Sequence, residues 1–139
     1  MHDWPTTLKD AGLRVTAGRV AVLTALADHP HMRVGDVTEA VRERTGSASV
    51  QAVYDNLATL HSHGLLKRVE PAGQPPRYEL ETGDNHHHLV CRACGLMRDV
   101  ECAVGEAPCL SAVCDDDFFI EEAEVIYWGK CANCYERKQ

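Results

Sequence analysis

Two Cys-x-x-Cys pairs, Cys91-Arg92-Ala93-Cys94 and Cys131-Ala132-Asn133-Cys134, constrain this chain more than any other feature. Each pair places two thiolates on one tight turn, and four thiolates complete a tetrahedral zinc shell. The stretch between them, residues 95 to 130, is longer than the loop of a compact zinc ribbon, so the metal ties the start of a domain to its end. Zinc bound in this way supplies on the order of 10 kcal/mol of folding free energy, enough to decide whether a small unit folds. The competing reading, a pair of redox dithiols, lacks the βαβ pattern that accompanies a thioredoxin motif. With Cys102, Cys109 and Cys114 the chain holds seven cysteines, an odd number that cannot all pair internally as disulfides. Those three suit buried packing or a thiol switch.

A chain of 139 residues has room for one or two small domains and excludes a large enzyme. No run approaches eighteen apolar residues, and Met1-His2-Asp3-Trp4-Pro5 lacks the basic flank and apolar core of a secretory signal. The expectation is a soluble cytoplasmic protein with no membrane partner. The net charge of −7 argues against a generally basic nucleic-acid binder, but it is unevenly spread. Residues 1 to 76 carry eight Lys/Arg and eight Asp/Glu, so the whole acidic excess falls in residues 77 to 139. The two stretches are read as separate domains with different tasks.

The first stretch is helical. Val20, Leu23 and Leu26, then Val34, Val37, Ala40 and Val41, then Val50, Val53, Leu57 and Leu60 recur at three- and four-residue steps. Ser47 or Ser49 can cap the third of these helices, and Gly64 ends it. Leu65 to Val69 and Arg77 to Leu80 read as strands on either side of a Pro/Gly-rich turn. Three helices followed by a hairpin give a winged helix-turn-helix, whose third helix can enter a DNA major groove. Its outward face carries Gln51, Ala52, Asp55 and Thr59, flanked by Tyr54. Gln51 and Tyr54 are the candidates to reach bases, and Arg14, Arg19 and Lys67 to reach phosphates or a minor groove. Asp55 counts against the idea by repelling phosphate, unless it accepts from a cytosine amino group. A bundle with a merely solvated polar face is the bland alternative.

From residue 77 onward Phe118 to Ile120 and Val125 to Trp128 read as strands of a small α+β unit. His86-His87-His88 precedes the first cysteine pair, and on a strand His86 and His88 share a face while His87 points away. Glu79 and Asp99 can add oxygen ligands. Imidazole with carboxylate suits iron(II), manganese(II), nickel or zinc. The competing reading is a solvent-exposed histidine cluster that binds metal adventitiously. No His-Glu-x-x-His or His-x-Glu motif supports a zinc hydrolase or deaminase, so no catalytic residues are assigned.

Ala11-Gly12-Leu13-Arg14-Val15-Thr16 with Arg19, Val53-Tyr54-Asp55-Asn56-Leu57 before Gly64-Leu65, and His86-His87-His88-Leu89-Val90-Cys91-x-x-Cys94 together resemble the ferric uptake regulator family. The similarity runs from Leu8 to Cys134, and the tail resembles the family's actinobacterial, peroxide-sensing branch. The resemblance implies a homodimeric repressor that reads an inverted-repeat operator through winged-helix domains and dimerises through residues 77 to 139. It adds His31 to Glu79, His86, His88 and Asp99 as ligands of a regulatory iron(II) or manganese(II), with Cys91, Cys94, Cys131 and Cys134 holding structural zinc. His29 is the confounder, and His31 is chosen by its offset from the helix that follows. Aspartate at position 99 resembles the peroxide-sensing branch, where glutamate would resemble the iron-uptake branch. A further family metal site would fall on Asn85, His87, Glu106 and Ala123, and the poor ligands Asn85 and Ala123 imply that it is absent or weak. The same-family alternative is an iron-responsive uptake repressor; outside it stand a small metalloenzyme, a thiol oxidoreductase and a metal-storage protein.

Overall fold

The computed structural model of the chain describes residues 2–81, 86–101 and 125–136. Among the described residues the fold is α+β, with four helices, then two small sheets, then a short closing helix. It divides into two compact units, Met1–Thr82 and Gly83–Gln139. Among the described residues no helix is long and apolar enough to cross a membrane.

The first unit opens with a helix that periodicity did not reveal, α1 (Trp4–Asp10), which buries only Leu8. Asp3 caps it by accepting from the Thr6 amide, and Pro5 sits where a missing N–H costs nothing. Helix α2 (Ala17–Asp28) is capped by Thr16, whose hydroxyl accepts from the Arg19 amide at 3.1 Å. It buries Ala21, Val22, Leu23, Ala25 and Leu26, because α1, α3, α4 and the hairpin all pack round it. Helix α3 (Val34–Thr45) buries Val37 and Val41 and stops at Gly46, whose φ of +90° is the left-handed turn only glycine adopts freely.

Helix α4 (Val50–Ser62) starts at Ser49, the cap chosen between the two serines, whose hydroxyl accepts from the Ala52 amide at 3.0 Å. Val53, Leu57 and Leu60 are buried, but Val50, expected on the same stripe, is 52% exposed at the first helical position. The hairpin pairs β1 (Leu66–Val69) with β2 (Arg77–Leu80) antiparallel, Lys67 facing Glu79 and Leu66 facing Leu80. A division at residue 76 would separate these two paired strands; the ladder keeps β2 with the helices, and the break between units falls after Thr82. Leu8, Leu23, Leu26, Val37, Val53, Leu57, Leu60, Leu66 and Tyr78 form one continuous core. Each fully buried leucine there contributes roughly 1.5–3 kcal/mol by leaving water.

Among the described residues of the second unit β3 (His86–Cys91) lies between two strands, antiparallel to β4 (Met97–Glu101) and parallel to β5 (Ile126–Gly129), with helix α5 (Ala132–Glu136) after β5. Strand β4 carried no apolar alternation; it is a strand because it pairs with β3 along its length. The strand expected over 118–120 lies outside the described residues, as do Cys102, Cys109 and Cys114. The buried apolar side chains described here are few, Val90 and Met97 with the Cys91 thiol, beside the buried imidazoles of His87 and His88.

Candidate metal centre

Backbone hydrogen bonds shape the cysteine cluster. Cys91 ends β3, and its amide donates to the Leu96 carbonyl while the Gly95 amide donates to the Cys91 carbonyl, both at 2.9 Å. Gly95 closes this turn at φ +82°. The Cys94 amide in turn points at the Cys91 sulfur, 3.5 Å away. Cys131 stands just before α5 and Cys134 within it, one helical turn apart, with the Tyr135 amide donating to the Cys131 carbonyl. The Arg92 amide donates to the Gly129 carbonyl at 2.7 Å, which ties the first turn to the strand leading into the second. The Arg92 guanidinium also lies over the Trp128 ring, 5.0 Å from its centroid.

The four sulfurs all lie within 4.8 Å of one another, and those of Cys94 and Cys131 are 3.8 Å apart. A tetrahedron with zinc–sulfur bonds of about 2.3 Å sets its sulfurs roughly 3.8 Å apart, so the cluster fits zinc without rearrangement. Electrostatics point the same way. Hydrogen bonds from the Cys94 and Cys131 backbone amides lower the Cys91 thiol to about 6. Sharing hydrogen bonds with the Cys131 and Cys94 sulfurs pushes the Cys134 thiol up to about 12. Thiolates crowded this closely hold protons between them until a dication takes their place.

A second type of donor set occurs in each unit as an imidazole–carboxylate pair. In the first unit the His31 Nε2 lies 2.8 Å from the Glu79 carboxylate, both side chains largely buried. Backbone pairing brings them together: Met32 and Tyr78 exchange two amide–carbonyl bonds, of 3.1 and 2.8 Å, so the loop after α2 runs beside β2. The loop turns at His31 itself, whose φ of +66° is a left-handed conformation unusual for a residue with a Cβ. His29 is the exposed C-cap of α2. The signal that favoured His31 was its position in the family; pattern alone could not anticipate a lone bridge between Met32 and Tyr78.

In the second unit the β3–β4 register sets His88 opposite Asp99, and the His88 Nε2 lies 3.3 Å from the Asp99 carboxylate. His88 is wholly buried and Asp99 half-exposed. His86 pairs with Glu101 in the same ladder, but its side chain lies outside the described residues. His87 is buried too, and its Nδ1 accepts from the Val125 amide at 3.2 Å, so it helps hold β5 to β3. Asn85, Glu106 and Ala123 are outside the described residues.

On α4, Gln51, Ala52, Tyr54 and Asp55 are all exposed, and Tyr54 leaves 46% of its surface to solvent. The Gln51 amide nitrogen donates to the Asp55 carboxylate at 2.9 Å. Arg14 is exposed in the loop before α2. Arg19 turns back to donate to the Arg14 carbonyl at 2.9 Å, so part of its fork braces that loop. Lys67 lies half-buried on β1.

The ferric uptake regulator family model matches residues 10–127 of the chain. The transcriptional regulator FurA of Mycobacterium tuberculosis is 52% identical over 132 residues, spanning 95% of this chain and 90% of that protein. The peroxide-responsive repressor PerR of Staphylococcus saprophyticus is 26% identical over 138 residues, 99% of this chain and 93% of that one. The solved ferric uptake regulator from Pseudomonas aeruginosa with manganese superposes with a TM-score of 0.75 at 27% identity, over 91% of this chain and 96% of that one. Helices, hairpin, cysteine cluster and these matches agree: the chain belongs to the ferric uptake regulator family, and is a metal-responsive transcriptional regulator of its actinobacterial FurA branch, not an enzyme.

Proposed function

We propose that the chain is a homodimeric repressor that binds an inverted-repeat operator when one iron(II) or manganese(II) ion is bound, and lets go after peroxide. Each unit carries one buried imidazole paired with a carboxylate, His31 with Glu79 and His88 with Asp99, and this is the observation on which the reading rests. Each pair alone is too small for a firm divalent site. Shared on one ion, with His86 as a fifth ligand, they make a nitrogen–oxygen set of the kind iron(II) and manganese(II) prefer. The two carboxylates balance the charge of the ion, so no net charge is buried.

An ion with ligands from both units fixes the angle between them, and in a dimer that sets the spacing of two α4 helices against two half-sites. Metal affinity and operator affinity are then linked, each raising the other by the same factor. Exposed Leu89, Leu96 and Tyr127 supply apolar surface in the second unit that a second copy can cover. Cys91, Cys94, Cys131 and Cys134 hold structural zinc in this reading. Gln51 and Tyr54 read bases, with Arg14, Lys67 and the remaining donors of Arg19 on phosphates.

Aspartate at position 99 and the resemblance to a peroxide-responsive repressor support peroxide as the signal over iron supply. Bound iron(II) would supply redox chemistry toward peroxide beside the ligand imidazoles: overall, one peroxide oxygen would be transferred to His31 or His86, the other would leave as water, and the oxidised ring would no longer serve as a ligand. Manganese(II) does not do this readily. The test is operator binding with each metal before and after peroxide, with the mass of each histidine peptide measured. Loss with iron, an added oxygen on His31 or His86, and survival with manganese are expected. Indifference to peroxide with both metals, and release on iron removal, would instead select an iron-uptake repressor.

A further inference from the structure

We infer that Asp55 is a positioning residue that sets the base preference of α4, by holding Gln51 so that it reads adenine; the inference rests on the DNA-binding role proposed above. A glutamine amide can present either its oxygen or its nitrogen to a neighbour, and a free one does both. A carboxylate accepts hydrogen bonds and cannot donate them, so only the nitrogen of Gln51 can face Asp55. The 2.9 Å contact between the Gln51 Nε2 and the Asp55 Oδ1 fixes that choice one helical turn along the exposed face. One Nε2 hydrogen is taken by Asp55. The Gln51 oxygen and the second hydrogen remain for a partner.

In the major groove an acceptor beside a donor matches adenine, which offers its N6 amino group and its N7. Guanine offers two acceptors, O6 and N7, and sets its O6 against the glutamine oxygen. The carboxylate also repels phosphate, so Asp55 lowers affinity for all DNA while sharpening the choice of base. This accounts for an acidic residue at the centre of a face that meets a polyanion.

The manganese-loaded full-length chain is used to select from a random-sequence duplex library, in parallel with Gln51→Ala, Asp55→Ala and Asp55→Asn. The wild type enriches paired half-sites with adenine at one position in each. Gln51→Ala and Asp55→Ala lose that adenine preference, on the order of tenfold to a hundredfold, and keep the rest of the site. Asp55→Asn falls between the wild type and Asp55→Ala, because an amide can turn either its oxygen or its nitrogen to Gln51 and so no longer fixes the choice. Asp55→Ala also binds random duplex more tightly, an effect that a loss of helix structure would not give. An unchanged preference at every position in Asp55→Ala overturns the inference while leaving the repressor reading intact. A wild-type chain that enriches no sequence overturns both.

Discussion

The thiols of the cysteine cluster are the residues whose chemistry is most exposed to test. Zinc binds the deprotonated sulfurs, so its uptake by the stripped protein releases protons, beginning with the one that Cys134 holds up to about 12. Acid therefore weakens the site, and more steeply once pH falls below about 6, where Cys91 also takes up a proton. Competition with a chromogenic chelator over that range checks the sign. Cys94→Ser removes one corner of the tetrahedron and should leave the second unit without stable structure, a loss on the scale of the whole unit's stability. Zinc content per chain and circular dichroism measure it. His31 shows where residue-level reading runs out: the Met32–Tyr78 bridge that brings it to Glu79 spans 46 residues of sequence and leaves no local pattern.

Helix α4 starts at a local cue. Ser49→Ala removes the hydroxyl that satisfies the Ala52 amide and should cost about 1 kcal/mol, seen as a lower thermal midpoint with zinc content unchanged. The elements legible in the sequence were those with a buried residue in nearly every turn, a strong turn signal or an apolar run: α2, α3, α4, the β1–β2 hairpin with its Pro/Gly loop, and β5 in the Val125 to Trp128 run. Helix α1 buries one residue in seven and so had no period to read; its cue was the cap, Asp3 ahead of Pro5 and Thr6. Helix α5 buries nothing, and its identity comes from the two cysteines it orders. Strand β4 reads Met-Arg-Asp-Val-Glu, and only the ladder to β3 makes it a strand. That ladder also carries function, since its register sets His88 opposite Asp99. Spacing alone determines which cysteine sulfurs share a turn; that the two turns meet follows from the parallel pairing of β5 with β3.

For the whole molecule, the division of charge matters most. The acidic excess of the chain lies in residues 77 to 139, while residues 1 to 76 are neutral, so few cations are available to neutralise phosphate. Arg19 also commits part of its fork to the Arg14 carbonyl. Operator binding should therefore fall with salt at a modest slope, about −2 to −3 per subunit on a logarithmic scale. Gel-shift titrations at several salt concentrations read it directly, and a slope several times steeper would require basic contacts beyond Arg14, Arg19 and Lys67.

In the proposed switch, one divalent ion liganded by His31, Glu79, His88 and Asp99 controls DNA binding. Operator affinity is measured against added manganese(II) for the zinc-loaded wild type and for the double variant His88→Ala with Asp99→Ala. Affinity should rise with manganese in the wild type and stay flat and weak in the variant, with zinc content equal in both. An equal manganese response in the two proteins would contradict it.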